Sequence, residues 1–430
     1  MTSPAPSAVR SYAVWGAAVA AYAIAVLHRS SLGVAGLAAA HRFDVGASVL
    51  ASLAVAQLVV YAVLQIPVGL VLDRVGPRAL IVSGAMLMAC GQLVLAVATA
   101  VPGAVAGRML VGAGDAMTFV SVIRLVPAWF PFRRVPLMTQ LTGGVGQLGQ
   151  VLAAAPLVAV LHARGWVTAI GGLAVVGVLA AALVAVVVRD APGSRAASAG
   201  QTWAVMVRPA AAGVERAGAG LRAVVREPGA RVGFWIHFLS QFSTHTIVLL
   251  WGVPFLVEGQ GRTVAEASAL LTVNVVAAVV AGPVIGELTA RRPQGRTRMV
   301  LCVAGAVALA WAAVLVPSRP SPVWVLATFM VVVAVGGPAS LIGFDVARSS
   351  VPAGRLGTAT GVVNTGGFIA AFSAMLAVGV VLDRVAPTGV RDLDAYRCAL
   401  AVVAGPWLLG VVGVLVSRRR MRAAHPGIAV

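Results

Sequence analysis

Gly69-Leu-Val-Leu-Asp73-Arg74-Val-Gly76-Pro-Arg78 is a short charged break between two apolar runs, 47–70 and 79–101. Each run supplies the roughly 20 residues that a hydrocarbon core about 30 Å thick requires of a helix. Outward from that break the pattern repeats along the chain. Twelve runs qualify, spans 1 to 12 in chain order: 12–37, 47–70, 79–101, 105–129, 136–161 and 166–188, then 233–257, 268–290, 299–316, 323–346, 357–381 and 398–416. The first is too long for a signal peptide, and no small-residue cleavage site follows it. The expected fold is an all-α membrane protein with twelve transmembrane helices. Composition agrees, with 60% apolar and 10% charged residues, where soluble domains carry about 25% charged. Mean hydropathy is +0.96. An ordinary soluble enzyme and a disordered chain are excluded. So is a disulfide scaffold, because the only cysteines, Cys90, Cys302 and Cys398, sit in apolar runs.

All 32 basic residues are Arg, against 13 acidic ones, for a net charge of +19. The one long stretch outside the spans is 189–232. It divides the chain into a six-helix bundle at 1–188, a cytoplasmic linker at 189–232 and a second six-helix bundle at 233–430. With the N-terminus inside, the inside segments hold 22 Arg and the outside loops 7. That bias predicts a multi-pass protein of the cell inner membrane with both termini cytoplasmic. The positive charge therefore orients the chain and does not imply a nucleic acid partner. In the linker, Leu221, Val224 and Val225 interleave with Arg222 and Arg226. This reads as a helix lying on the anionic inner leaflet, or as a solvated connection.

Ionisable groups inside a bilayer are costly and usually face a cavity or a partner. Here they are His28 and Arg29 in span 1, Arg108, Asp115 and Arg124 in span 4, His237 and His245 in span 7, and Asp345 in span 10. The period of three spans implies four triplets whose first helix borders a central polar path, with spans 3, 6, 9 and 12 facing lipid. The repeat shows in sequence too. Pro131, Arg134 and Gly143-Gly144-Val-Gly146-Gln147-Leu-Gly149 precede and open span 5; Pro352, Arg355 and Gly361-Val-Val-Asn364-Thr-Gly366-Gly367 do the same for span 11. Nested repeats around a midplane site are the architecture of alternating-access transporters. The amides Gln140, Gln147 and Asn364 are candidates for a polar substrate or for helix bridging, beside close packing of the glycines.

The Gly69–Arg78 stretch resembles the signature loop of the major facilitator superfamily, G-x-x-x-D-R-x-G-x-R, and the twelve spans in two sets of six extend that resemblance over the whole chain. The resemblance implies two pseudo-symmetric six-helix bundles and gating by Asp73, Arg74 and Arg78, with Asp73 facing the positive end of a neighbouring helix. Its symmetry mate near Gly282-Pro283-Val-Ile-Gly286-Glu287 is degenerate. Arg108-Met-Leu-Val-Gly112-Ala-Gly114 resembles the superfamily's second motif, whose Arg is implicated in proton coupling. The absence of a Gly-Pro pair in span 5 favours symport or uniport. His28-Arg29-Ser-Ser-Leu resembles the span-1 Arg of anion:cation symporters, which binds the substrate anion. The Gly-rich runs of spans 5 and 11 resemble nitrate/nitrite porters. Where those porters carry Arg, this chain has Gln57, Tyr61 and Gln65 in span 2 and Asn274 in span 8, so the resemblance implies a small anion rather than nitrate.

Among the candidates, Arg29 shares its face of span 1 with Tyr22 and offers a fork for an oxyanion, or a structural pair for Asp115. Asp115 and Arg108 are seven apart on one face of span 4, as a proton carrier with its partner or as a static pair. His237, Gln241 and His245 form an i, i+4, i+8 stripe, read as cavity lining or, at His245, as a proton carrier. Gln57, Tyr61 and Gln65 form a second stripe. Asp345 and Arg348 can pair within span 10, and the repeat also sets Asp345 opposite Arg124 as an inner-gate ion pair. The expected substrate contacts are Arg29, Gln57, Tyr61, His237, Gln241 and Asn364. Trp129, Trp166 and Trp324 near span ends read as an interface belt. No Walker loop, zinc spacing or nucleophile elbow occurs, so neither an enzyme nor a cofactor is expected. The reading is a monomeric secondary transporter of a small, anionic solute by proton-coupled alternating access. The alternatives are an efflux permease for hydrophobic, drug-like compounds and a non-transporting membrane sensor.

Overall fold

The computed structural model describes residues 7–45, 47–193, 210–387 and 391–424, and these are helical with no strand. Eleven helices in it are long and apolar enough to cross a membrane. The twelfth crossing is the fifth in chain order, and two breaks obscure it. Val135–Gly146 and Leu148–Leu152 lead into a π-helical turn, Ala153–Leu157, and then into Val158–Val187. Pro156 lies in the π turn, where a wider turn relieves the ring's clash with the carbonyl four residues back. Gly165 then breaks the last helix at φ 76°, a value a side chain would resist. Residues 135–164 are therefore span 5, and 166–187 are span 6.

Other spans run past their apolar cores. Span 7 covers Pro228–Gly259 and span 12 covers Leu393–Ala424, because the helical hydrogen-bond ladder continues after hydropathy falls. In the linker a helix, Ala210–Arg226, carries a buried Val224. Residues 194–209 of the linker lie outside the described residues.

The residues group into two compact units. One comprises Met1–Val135, Thr142–Arg222 and Gly354–Gly361; the other comprises Pro136–Leu141, Ala223–Ala353 and Val362–Val430. In the first unit, spans 3 and 4 touch backbone to backbone. A Cβ on Gly84 would stand 2.6 Å from the Gly114 carbonyl oxygen, and one on Gly91 2.7 Å from that of Gly107. Span 3 is 56% buried on this side, while Met86, Leu93 and Val97 stay exposed on its other side, the apolar face that its lack of charge suggested. In the second unit, Gly233 of span 7 and Gly343 of span 10 cross in the same way, each Cβ 2.5 Å from the other's carbonyl oxygen. Contacts of this kind replace the hydrophobic drive that is absent between helices in lipid. Gly233→Ala is expected to cost roughly 1–3 kcal/mol by overpacking, read as a lower unfolding midpoint of purified protein.

Two of the three belt tryptophans are interior. Trp129 donates from Nε1 to the Arg189 carbonyl at 2.9 Å, and Trp166 to that of Leu95 at 3.2 Å. Only Trp324 is exposed. An indole N–H that finds a carbonyl at a helix end can be buried there, and hydropathy does not reveal that partner.

Candidate functional site

The first unit holds a charged cluster built on spans 1, 2, 3 and 4. Arg29 forks onto Asp115, with Nε 2.6 Å from Oδ2 and Nη2 2.8 Å from Oδ1. Asp115 is fully buried, whereas the Arg29 side chain keeps 27% of its surface exposed. The guanidinium lies over the Tyr61 ring at 5.1 Å, and Tyr22 packs beside it against Phe119. Beneath this pair Arg108 is buried. It donates to the Arg29 carbonyl at 2.9 Å, the His28 carbonyl at 3.3 Å, the Ser31 hydroxyl at 3.4 Å and the Gln57 amide oxygen. Gln92 of span 3 reaches the same His28 carbonyl and Ser31 hydroxyl, at 3.2 and 3.1 Å. Arg108 thus fixes the backbone that carries Arg29. Two guanidinium groups face one carboxylate, and the cluster carries one uncompensated positive charge.

In the second unit the span-7 stripe forms one hydrogen-bonded strip. His237 Nδ1 lies 3.2 Å from the Ser340 carbonyl, with Asn364 beside the ring. The Ser340 hydroxyl donates to Gln241 Oε1 at 2.7 Å, and Gln241 Nε2 lies 3.4 Å from His245 Nε2. Phe344 and Phe368 set their rings edge-on to His237 and His245, with centroids 5.0 and 5.6 Å away. The glycines of span 11 serve this strip directly, since a Cβ on Gly367 would meet His237 Cδ2 at 2.6 Å. Several amides bridge helices. Gln140 donates to the Pro338 carbonyl and Asn274 to that of Met330, both at 2.8 Å. Asp345 is held by Arg348 at 2.5 Å, the intrahelical pair that their spacing permits.

At the end of span 2, Asp73 accepts three hydrogen bonds from the start of span 11: the Gly357 N–H at 2.7 Å, the Thr358 N–H at 2.8 Å and the Thr358 hydroxyl at 2.6 Å. The carboxylate thus occupies the positive end of a helix, where unpaired N–H groups converge. The corresponding position in span 8 is Gly286, and there backbone replaces the carboxylate: a Cβ on Gly286 would stand 2.9 Å from Leu137 Cα. Arg74 is exposed beside Asp73. The sequence model of the Major Facilitator Superfamily matches residues 18–375, both signature stretches included. The chain belongs to the Major Facilitator Superfamily. It is accordingly a multi-pass membrane protein of a transporter family. Its fold is similar to that of the proton:xylose symporter XylE bound to 6-bromo-6-deoxy-D-glucose, with TM-score 0.71 and 12% identity over 96% of each chain. It is also similar to the human organic anion transporter MFSD10 (TETRAN), with TM-score 0.66 and 15% identity over 94% of this chain and 99% of that one. No curated protein matches the sequence.

In this superfamily member the signature loop has a partner that motif reading missed. Asp190, just beyond span 6, accepts the Arg78 N–H at 2.7 Å and so caps the start of span 3. Gly76 sits at φ 85°, and a Cβ there would lie 2.8 Å from the Asp190 carboxyl carbon. The Arg78 guanidinium reaches back to the Ala185 carbonyl at 2.7 Å. Arg124 is within electrostatic reach of both Asp73 and Asp190. The available signal was rarity: Asp190 is an acidic residue in an Arg-rich inner segment. Burial pushes its carboxyl above the usual range, against the pull of the Arg78 N–H and the nearby guanidinium groups. A raised native pKa means that ionisation costs stability as pH climbs past the unfolded value near 4. Asp190→Asn keeps the cap without the buried charge and should be as stable as the parent at pH 7 or more so. Asp190→Ala should lose about 1 kcal/mol. Unfolding midpoints of the two variants check both outcomes.

Proposed function

We propose that this protein is a monomeric secondary transporter of a small anionic solute, driven by protons through alternating access, in the cell inner membrane with both termini cytoplasmic. The observation that carries the reading is the charge imbalance in the first unit, where Asp115 is the one carboxylate for two guanidinium groups, Arg29 bonded to it and Arg108 near it but bonded elsewhere. An uncompensated cation within a span requires a counter-ion. A solute anion that reaches the exposed part of Arg29 supplies one and gains the fork geometry of a guanidinium. Arg108 acts as a positioning group, since its donors are spent on the backbone of span 1 and on Gln57.

Proton coupling follows from competition at Arg29. A solute carboxylate or oxyanion that takes the Arg29 donors leaves Asp115 without its bidentate partner, and a proton on Asp115 then replaces the lost charge. On this scheme one anion and one proton move together. His245, which is half-buried and bonded to Gln241, is a second proton carrier in the other unit. Asp73, Arg74, Arg78 and Arg124 act at the inner end as a gate. The Asp345–Arg348 pair serves the same end of the second unit. The 22 to 7 distribution of Arg between inside and outside segments sets the orientation.

A thermal-shift panel on purified protein tests the reading. Nitrate, nitrite, short carboxylates and phosphate esters are compared with cationic and neutral compounds. A bound anion at 100 times its Kd should stabilise the fold by about 2.7 kcal/mol. Stabilisation by cations or neutral solutes alone would contradict an anion carrier.

A further inference from the structure

The second unit has an excess of buried positive charge at the end where spans 8 and 9 join. Arg296 opens span 9 with only 2% of its surface exposed, and its Nε has no acceptor. Beside it stand Asp345 and Arg348. Asp345 is already engaged by Arg348, whose side chain is 11% exposed and whose own Nε also lacks an acceptor. Two residues further along span 9, the exposed Arg298 stands near Arg418 at the end of span 12, which also has Arg422 beside it. Arg418 Nε is a third donor without a partner. The hydroxyls of Thr289 and Thr297, both buried, complete the set of orphaned groups. Two buried guanidinium groups, Arg296 and Arg348, thus share one carboxylate, and Glu287 on span 8 is taken by Arg291 at 2.6 Å.

This is not the pattern of arginines that bury their stems and keep their heads hydrated. Arg296 has its guanidinium inside, and a buried donor without an acceptor is rare and costly. The deficit is of both acceptors and negative charge, so a neutral water corrects only half of it. A phosphoryl group corrects both, because several oxygens around one anionic centre match the spread donors of arginine. We propose that Arg296 and Arg348, flanked by Arg298 and Arg418, form a binding site for a phosphoryl anion. On the orientation proposed above this end meets the inner leaflet, where anionic lipid headgroups are concentrated. A soluble phosphate has the same chemistry, and the test separates the two sources.

Delipidated full-length protein is examined by native mass spectrometry with dioleoyl phosphatidylglycerol, with dioleoyl phosphatidylcholine, and by thermal shift with millimolar inorganic phosphate. If the source is lipid, phosphatidylglycerol is retained about tenfold more tightly than phosphatidylcholine, and R296Q/R418Q removes that preference. If the source is soluble, inorganic phosphate alone raises the unfolding midpoint of the parent, and the double variant abolishes the shift. Either result supports the site. The proposal is overturned if the parent neither prefers phosphatidylglycerol nor responds to phosphate, a measurement that needs no variant to fold. It is equally overturned if a preference or shift persists undiminished in R296Q/R418Q.

Discussion

Arg29→Ala is expected to reduce anion uptake into proteoliposomes by at least about 100-fold, because 2.7 kcal/mol lies well within what removing one partner of a desolvated charge pair costs. The substitution removes the only guanidinium of the cluster that solvent or solute can reach, since Arg108 is buried and committed to the backbone of span 1. Arg29→Lys restores the charge but not the planar fork, so recovery should be partial. Asp115→Asn separates binding from coupling. The amide retains the shape of the side chain and weakens its hold on Arg29, so anion binding persists or tightens while the dependence of uptake on ΔpH disappears. Asp115→Ala is a poorer probe, because it leaves two guanidinium groups without a counter-charge and costs about 3–5 kcal/mol of stability. Unchanged uptake by Arg29→Ala would refute the anion anchor. Retained ΔpH dependence in Asp115→Asn would refute the proton route and leave the anchor standing.

The sequence made the fold legible because a membrane span is a length requirement, and twelve apolar runs meet it without reference to any tertiary contact. Its limits appear where a helix breaks for local reasons. Gly165 at φ 76° falls in the polar gap at 162–165 that already divided spans 5 and 6, whereas the π turn at Pro156 leaves the apolar run unbroken and so leaves no mark in hydropathy. In the charged cluster, residue type marked Arg29, Arg108 and Asp115, since each is expensive in lipid. What residue type does not carry is direction. The sevenfold spacing placed Arg108 on the face of Asp115, yet the Arg108 donors turn to the carbonyls of His28 and Arg29 and to Gln57, while Arg29 takes the carboxylate. Ser31 and Gln92 enter the cluster as ordinary polar groups whose importance comes only from converging on one carbonyl. Arg296 was invisible for the opposite reason. In sequence it is one of four arginines in a positive loop, and only its burial distinguishes it from Arg291, Arg292 and Arg298.

The contact between Asp73 and the start of span 11 should be measurable amide by amide. Gly357 and Thr358 direct their N–H groups at a single carboxylate, at 2.7 and 2.8 Å. Being at the start of a helix, they have no carbonyl four residues back in the same helix to replace it. Hydrogen bonds to a charged acceptor are worth about 1.5–3 kcal/mol, so Asp73→Ala should speed hydrogen exchange at these two amides by about 10- to 100-fold. Exchange in the middle of span 11 should be unaffected, because its ladder is internal. The close approach of Gly69 to the Gly357 carbonyl, 2.6 Å from a built Cβ, packs the same two helices independently of charge. The alanine variant therefore loosens the contact without unfolding it. Asp73→Asn is the informative companion. Its side chain offers one acceptor oxygen where the carboxylate offers two, each of which is used here by a different amide. One amide should stay protected and the other should exchange nearly as in the alanine variant. Equal protection of both in Asp73→Asn would mean that the net charge at the helix end is dispensable. Unchanged exchange in Asp73→Ala would mean that glycine packing alone holds the two helices together.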